Sequence, residues 1–151
     1  MKRQIAKGLA MFVFTLALAA ASSAVVNGQS NARLVAQVPF EFMVGDQTFA
    51  AGEYRVGAID QSGETIAITN GQSEGAIRGT NPKQRSGGDK SAKLVFHRYG
   101  SSYFLTQVWR AGEATGRELR KSREERAIER ELKVAANGRR FETVEVVALA
   151  R

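Results

Sequence analysis

The chain predicts a mainly β protein: an antiparallel sandwich or barrel of about seven or eight strands, with one helix before the last strand. Three observations carry that class. Apolar and polar residues alternate along several short stretches, the period of a half-buried strand. Turn formers such as Gly45-Asp46, Ala51-Gly52, Asn70-Gly71 and Gly100-Ser101 recur between those stretches at short intervals. Only one segment, near 122–136, exchanges period two for helical spacing.

The elements follow in order. Lys2, Arg3 and Lys7 precede an apolar run from Gly8 to Ala21, and small residues follow it to Ala24. A basic start, a short apolar core and A-x-A sites mark a signal peptide over 1–24, cleaved after Ala21 or Ala24. The alternative is an uncleaved anchor, because the uncharged stretch continues to Ala32. Residues 25–32 read as a flexible N-terminal segment, and 33–151 as a single β-rich domain. With the signal removed, no transmembrane segment is expected.

Leu34, Ala36, Val38, Phe40, Phe42 and Val44 alternate as one long strand, with Pro39 placing it at an edge or bending it. Gln47–Phe49, Glu53–Ile59 and Thr65–Thr69 are the next strands, and Asn70-Gly71 signals a hairpin returning through Ala76–Arg78. Residues 81–92, with Pro82, Gly87 and Gly88, read as a mobile loop. Lys93–Tyr99 and Tyr103–Trp109 form a second hairpin, with Tyr103, Leu105, Gln107 and Trp109 sharing one face. Phe141–Leu149 is the last strand. Before it, Ser122 and Glu125 fit a capping box. Ala127, Ile128, Leu132 and Ala135 give the helix a narrow apolar stripe.

Composition narrows the function. The chain has 151 residues, no Cys and one His. Disulfides, thiolate metal sites, thiol catalysis and multi-His metal sites are excluded. The net charge of +7 suggests an anionic partner. However, residues 1–24 carry three bases and no acid, and the remaining excess sits almost wholly in 110–140, with 10 bases against 6 acids. Nucleic acid is therefore not an expected partner of an exported chain.

Val38–Gly45 with Ala51–Val56, Leu94–Gly100, Tyr103–Leu105, Gly116–Leu119 and Lys121–Arg123 resemble a pattern of small exported proteins of acidobacterial type. The pattern covers most of 34–130. It departs at Ala51 and Arg120, where such proteins often carry Pro. The resemblance implies export and a common domain; it supplies no catalytic residue and no ligand.

Two groups are candidate binding surfaces. Arg98, Tyr99, Tyr103 and Trp109 could stack on a sugar ring or a peptide; the competing reading is that the aromatics fill the core or bridge sheet to helix. Arg117, Arg120, Lys121, Arg123, Arg126 and Arg130 form a basic patch suited to an anionic polymer or headgroup. Six interleaved acids favour a solvated, internally paired face instead. The expected function is an exported non-enzymatic binding or structural module of the cell envelope. Its ligand would be an envelope glycan, peptide or anionic polymer, and no cofactor, metal or catalytic residue is assigned. One alternative is a hydrolase of envelope polysaccharide using two of Asp46, Glu53, Asp60, Glu64 and His97, which requires them to converge. Another is electrostatic attachment to anionic envelope surfaces through the basic helix segment.

Overall fold

The alternation of the sequence closes into a barrel. The computed structural model describes residues 33–71, 74–134 and 141–151. The expected signal peptide and the 25–32 segment lie outside the described residues. Among those residues, the elements in chain order are β1 (Leu34–Val38), β2 (Phe42–Val44), β3 (Gln47–Phe49), β4 (Gly52–Ala58), β5 (Thr65–Asn70) and β6 (Gly75–Gln84). They continue with β7 (Lys93–Tyr99), β8 (Ser102–Trp109), β9 (Thr115–Leu119), α1 (Arg123–Val134) and β10 (Glu142–Ala150). Eight strands form a ring in the order β1-β4-β5-β6-β9-β8-β7-β10, and β10 pairs back to β1. Every pairing in the ring is antiparallel.

Side chains fill the barrel. Leu34, Ala36 and Val38 point inward from β1, and Tyr54, Val56, Ile66 and Ile68 from β4 and β5. Leu94, Phe96, Leu105 and Val108 meet them from β7 and β8. An eight-stranded barrel is just wide enough for such packing, and it removes the exposed strand edges on which chains aggregate. Burial of this set replaces the disulfides that the sequence lacks.

The β2–β3 hairpin adds to this ring. β9 pairs with β8 only at Gln107 and Val108, so the start of β8 is left for β2, which joins it in parallel at Met43 and Phe104. The hairpin folds Phe42 into the core, edge-on to Tyr54 and Phe96 with ring centroids at 4.9 and 5.3 Å. Its turn needs Gly45, which has φ +65° and lies directly against the Arg78 guanidinium. Arg78 Nη2 donates to the Val44 carbonyl at 2.9 Å, tying the hairpin to β6.

Four sequence expectations change. The long strand over 34–44 is broken by Pro39, and β1 is central, between β10 and β4, rather than at an edge. The loop expected from residue 81 begins at 85, because β6 continues to Gln84 by pairing with β9. Strand β9 is not visible in the alternation, since Leu119 is its one large apolar residue. The Asn70-Gly71 hairpin closes through a longer connection, with Asn70 and Glu74 bonded across it.

A candidate binding groove on the outer wall

Strands β7 and β8 carry buried residues on both faces, which is why their burial pattern departs from strict alternation. Leu94 and Phe96 face the barrel interior; Val95, His97 and Tyr99 face out. On β8 a bulge intervenes. Val95 pairs with Gln107 and Phe96 with Leu105, so Thr106 is the extra residue. The bulge reverses the alternation: Tyr103 and Leu105 face in, whereas Gln107 and Trp109 face out. The single face expected for Tyr103, Leu105, Gln107 and Trp109 is therefore not formed.

Trp109 lies flat on the outer wall. It is only 5% exposed, and an added Cβ at Gly116 would fall 2.4 Å from its Cε3. Glycine at 116 is what allows the ring to lie on β9. Arg85 covers the other side, its guanidinium carbon 4.7 Å from the ring centroid. Arg85 also donates to the carbonyls of Asp89, Ser91 and Arg110, which holds the 85–92 loop over this end of the wall. The indole N–H donates to Gln107 Oε1 at 2.9 Å.

Beside this covered tryptophan is an open groove of about 210 Å³, lined by β6, β7, β8, β10 and the 85–92 loop. Val95, His97, Gln107 and Thr143 line it, with Lys83, Asp89, Lys93 and Glu145 among its charged groups. Lys93 Nζ lies 2.9 Å from Glu145 and 3.0 Å from Asp89. These carboxylates raise the Lys93 pKa, Glu145 foremost and against the effect of burial. The hydrogen bonds of Ser91 and Lys93 hold Asp89 far below its usual range. Lys83 pairs with Glu118 at 2.9 Å.

His97 joins the groove to the helix. Its Nδ1 lies 3.2 Å from Glu125 Oε1, and its ring stacks on Phe141 at 3.8 Å. A carboxylate only accepts, so Nδ1 carries the proton of that bond and Nε2 is the nitrogen left over. Glu125, 2% exposed, is the buried residue of α1. Tyr99 shares its hydroxyl between Glu125 at 3.2 Å and Glu129 at 2.8 Å. Burial, the Glu129 hydrogen bond and the two negative charges hold the phenol well above its usual pKa, so it stays a donor. Burial pushes Glu129 up, but hydrogen bonds from Lys121 and Tyr99 outweigh it and its pKa is lowered.

This cluster corrects two expectations for the helix. Ser122 Oγ does accept from the Glu125 N–H at 3.0 Å. The Glu125 side chain does not complete a capping box, because it turns into the barrel wall instead. Nor does the expected apolar stripe hold the helix: Leu132 is 37% exposed, Ala127 and Ile128 are half-buried, and Ala135 lies outside the described residues. Carboxylates, not leucines, dock α1.

The expected site residues do not form one surface. Tyr99 bridges sheet to helix. Tyr103 stacks on Phe40 at 4.0 Å inside the barrel mouth, with Arg98 over its ring at 5.5 Å. Of the four, Trp109 lines the groove. Arg117 leaves the basic patch, since it reaches from β9 to the Ser62 carbonyl. Lys121 pairs with Glu129. Arg120, Arg123, Arg126 and Arg130 are exposed.

The candidate hydrolytic carboxylates lie on three separate parts of the barrel, with Asp60 and an exposed Glu64 sharing the β4–β5 turn. Asp46 is on the β2–β3 turn, and Glu53 is on β4 beside Arg55. Asp60 is spent on the β4–β5 turn, accepting from Ser62, Glu64 and Thr65. Hydrogen bonds from Thr65 and Ser62 lower its pKa to about 2. Among the described residues no three His, Asp or Glu side chains gather as a metal site. No helix among them is long and apolar enough to cross a membrane.

Among the groove residues that sequence reasoning did not single out are Arg85, Asp89, Lys93, Gln107, Thr143 and Glu145. Alternation along β10 does set Thr143 and Glu145 on the outer face, but ordinary polar residues there carry no signal of a groove. Glu125 was visible only as a capping residue. No protein-family model, curated protein or solved structure matches the chain.

Proposed function

We propose that this chain is an exported, non-enzymatic binding module of the cell envelope that takes its ligand on the outer wall of the barrel. The observation that carries the reading is the contrast between the two faces. The interior is filled by buried side chains, whereas the outer wall has an open groove with polar residues on a rigid strand platform. The signal-like segment over 1–24 and the resemblance to small exported proteins support the envelope as its place of work. The placement of the candidate carboxylates on three separate parts of the barrel weighs against the hydrolase reading.

The test combines location and binding. Deleting residues 1–24 should retain the chain in the cytoplasm. Envelope glycans and peptides are then screened by the emission of Trp109, the chain's one tryptophan. A saturable change with one class of polymer is the expected result. Unchanged emission and unchanged groove resonances with every envelope fraction would refute the reading.

The helix supports a second reading, electrostatic attachment. Arg123, Arg126 and Arg130 are spaced i, i+3, i+7 and are exposed, while Glu125 and Glu129 turn toward the barrel. With those two acids turned inward, α1 exposes four bases, Arg123, Arg126, Arg130 and Lys133, against two acids, Glu124 and Glu131. Vesicles with anionic headgroups should retain the chain at low salt and release it at about 0.5 M salt, where screening is within a few Å. Salt-independent retention would count against it.

A further inference from the structure

We infer that the groove takes a neutral, hydroxyl-rich ring, a sugar residue without carboxylate or phosphate. This deepens the proposed binding function and rests on it. The charged groups of the groove are already engaged within the protein. Lys93 is already held between Glu145 and Asp89, and Lys83 is paired with Glu118. Arg85 lies over Trp109 and donates to three carbonyls from its Nη atoms, while its Nε–H is buried without a partner and closed to a ligand. An anionic ligand would have to break one of these pairs, and a cationic ligand would have to displace Lys93 from its carboxylates.

The hydrogen-bonding capacity left open to a ligand is of another kind. Gln107 uses its carbonyl oxygen on Trp109, so its NH₂ offers two donors. The Thr143 hydroxyl both gives and accepts, and it stands across from His97 in the β10–β7 register. His97, tied at Nδ1 by Glu125, presents Nε2 as an acceptor while neutral. Glu145 retains lone pairs beyond those that Lys93 uses. Donors and acceptors thus share the lining of a groove of about 210 Å³, the space of roughly one sugar ring. Hydroxyl groups, which serve as both donor and acceptor, satisfy such a set; an ion satisfies only half of it.

The test is saturation-transfer NMR on the full chain as an exporting host yields it. The probes are a neutral hexose disaccharide, an N-acetylhexosamine disaccharide, a uronic acid disaccharide, inorganic phosphate and a short acidic peptide. Transfer to a neutral sugar is expected, with shifts at the Trp109 indole and at Thr143, and with affinity unchanged between 50 and 500 mM salt, in contrast to a charge-driven ligand. Gln107→Ala and Thr143→Val should each weaken binding about 5–10-fold, the loss of one hydrogen bond. If uronate, phosphate or the peptide shifts the groove residues and neutral sugars do not, this inference fails and the binding function stands. If no probe and no envelope polymer shifts them, both fail.

Discussion

Replacing Gly116 by Ala probes the outer wall most sharply. The added methyl would sit 2.4, 2.6 and 2.7 Å from Cε3, Cδ2 and Cζ3 of Trp109. Carbon atoms rest at about 3.5–4.0 Å, so the indole must retreat by about 1 Å. Retreat strains the Gln107 hydrogen bond, worth about 0.5–1.5 kcal/mol, and the Arg85 stack, worth about 0.5–2 kcal/mol. Overpacking of this kind costs about 1–3 kcal/mol in total, and about 0.4–1 kcal/mol returns because alanine restricts the unfolded chain. The expected net loss is about 1–2 kcal/mol, a fall in Tm of roughly 4–8 °C for a domain of this size. Denaturant unfolding followed by circular dichroism measures it, and Trp109 emission should shift red in the folded state. In a Trp109→Ala background the same substitution should instead stabilise by about 0.4–1 kcal/mol, because nothing then opposes the methyl and the restriction of the unfolded chain remains. A Tm within 1 °C of the parent, with unchanged emission, would refute the stacked arrangement of Gly116, Trp109 and Arg85.

Glu125→Ala should cost about 2–3 kcal/mol, since it strips a buried charged acceptor from Tyr99 and His97, whereas Leu132→Ala should stay within about 0.5 kcal/mol; comparable losses at both sites would restore the apolar stripe. Arg78→Met should raise hydrogen exchange selectively in Phe42–Phe49, because it removes the tie to the Val44 carbonyl; uniform exchange across the barrel would contradict that role. Asp60 has its pKa lowered from 3.8 to about 2, so its contribution to stability is full above about pH 4 and disappears as pH falls through 2. The destabilisation caused by Asp60→Asn should accordingly shrink on that descent, and a pH-independent difference in Tm would speak against the turn bonds of Ser62, Glu64 and Thr65.

Much of the barrel is legible from alternation, and its exceptions have physical causes. Leu34, Ala36 and Val38 face the core as period two requires, and the hairpin of Lys93–Tyr99 with its partner strand forms. Period two fails at Thr106, because a bulge is set by pairing with a distant strand and leaves no mark in local composition. It also fails at β9, where Gly116 matters for what it lacks: room for Trp109 is a tertiary requirement. The helix was visible from Ser122 and its spacing. Its docking was not, because a glutamate at 125 reads as a solvated acid until Tyr99 and His97 are placed beside it. Most of the groove residues are polar side chains typical of any exposed strand, and only closure of the barrel gathers them from β6, β7, β8 and β10.

The net charge also acquires a place. The excess bases of 110–140 are not one patch. Arg117 secures the β4–β5 turn, Lys121 engages Glu129, and Arg123, Arg126 and Arg130 remain on the outer face of α1.

The most direct measurement is a residue-resolved NMR titration with the envelope glycan that the screen selects. Binding on the outer wall predicts shifts at the Trp109 indole, Gln107, Thr143 and the Val95 methyls, with the interior methyls of Val38, Val56, Ile68 and Leu94 unmoved. Shifts at those interior methyls, with Val95 and Thr143 unchanged, would place the ligand inside the barrel and contradict the outer groove.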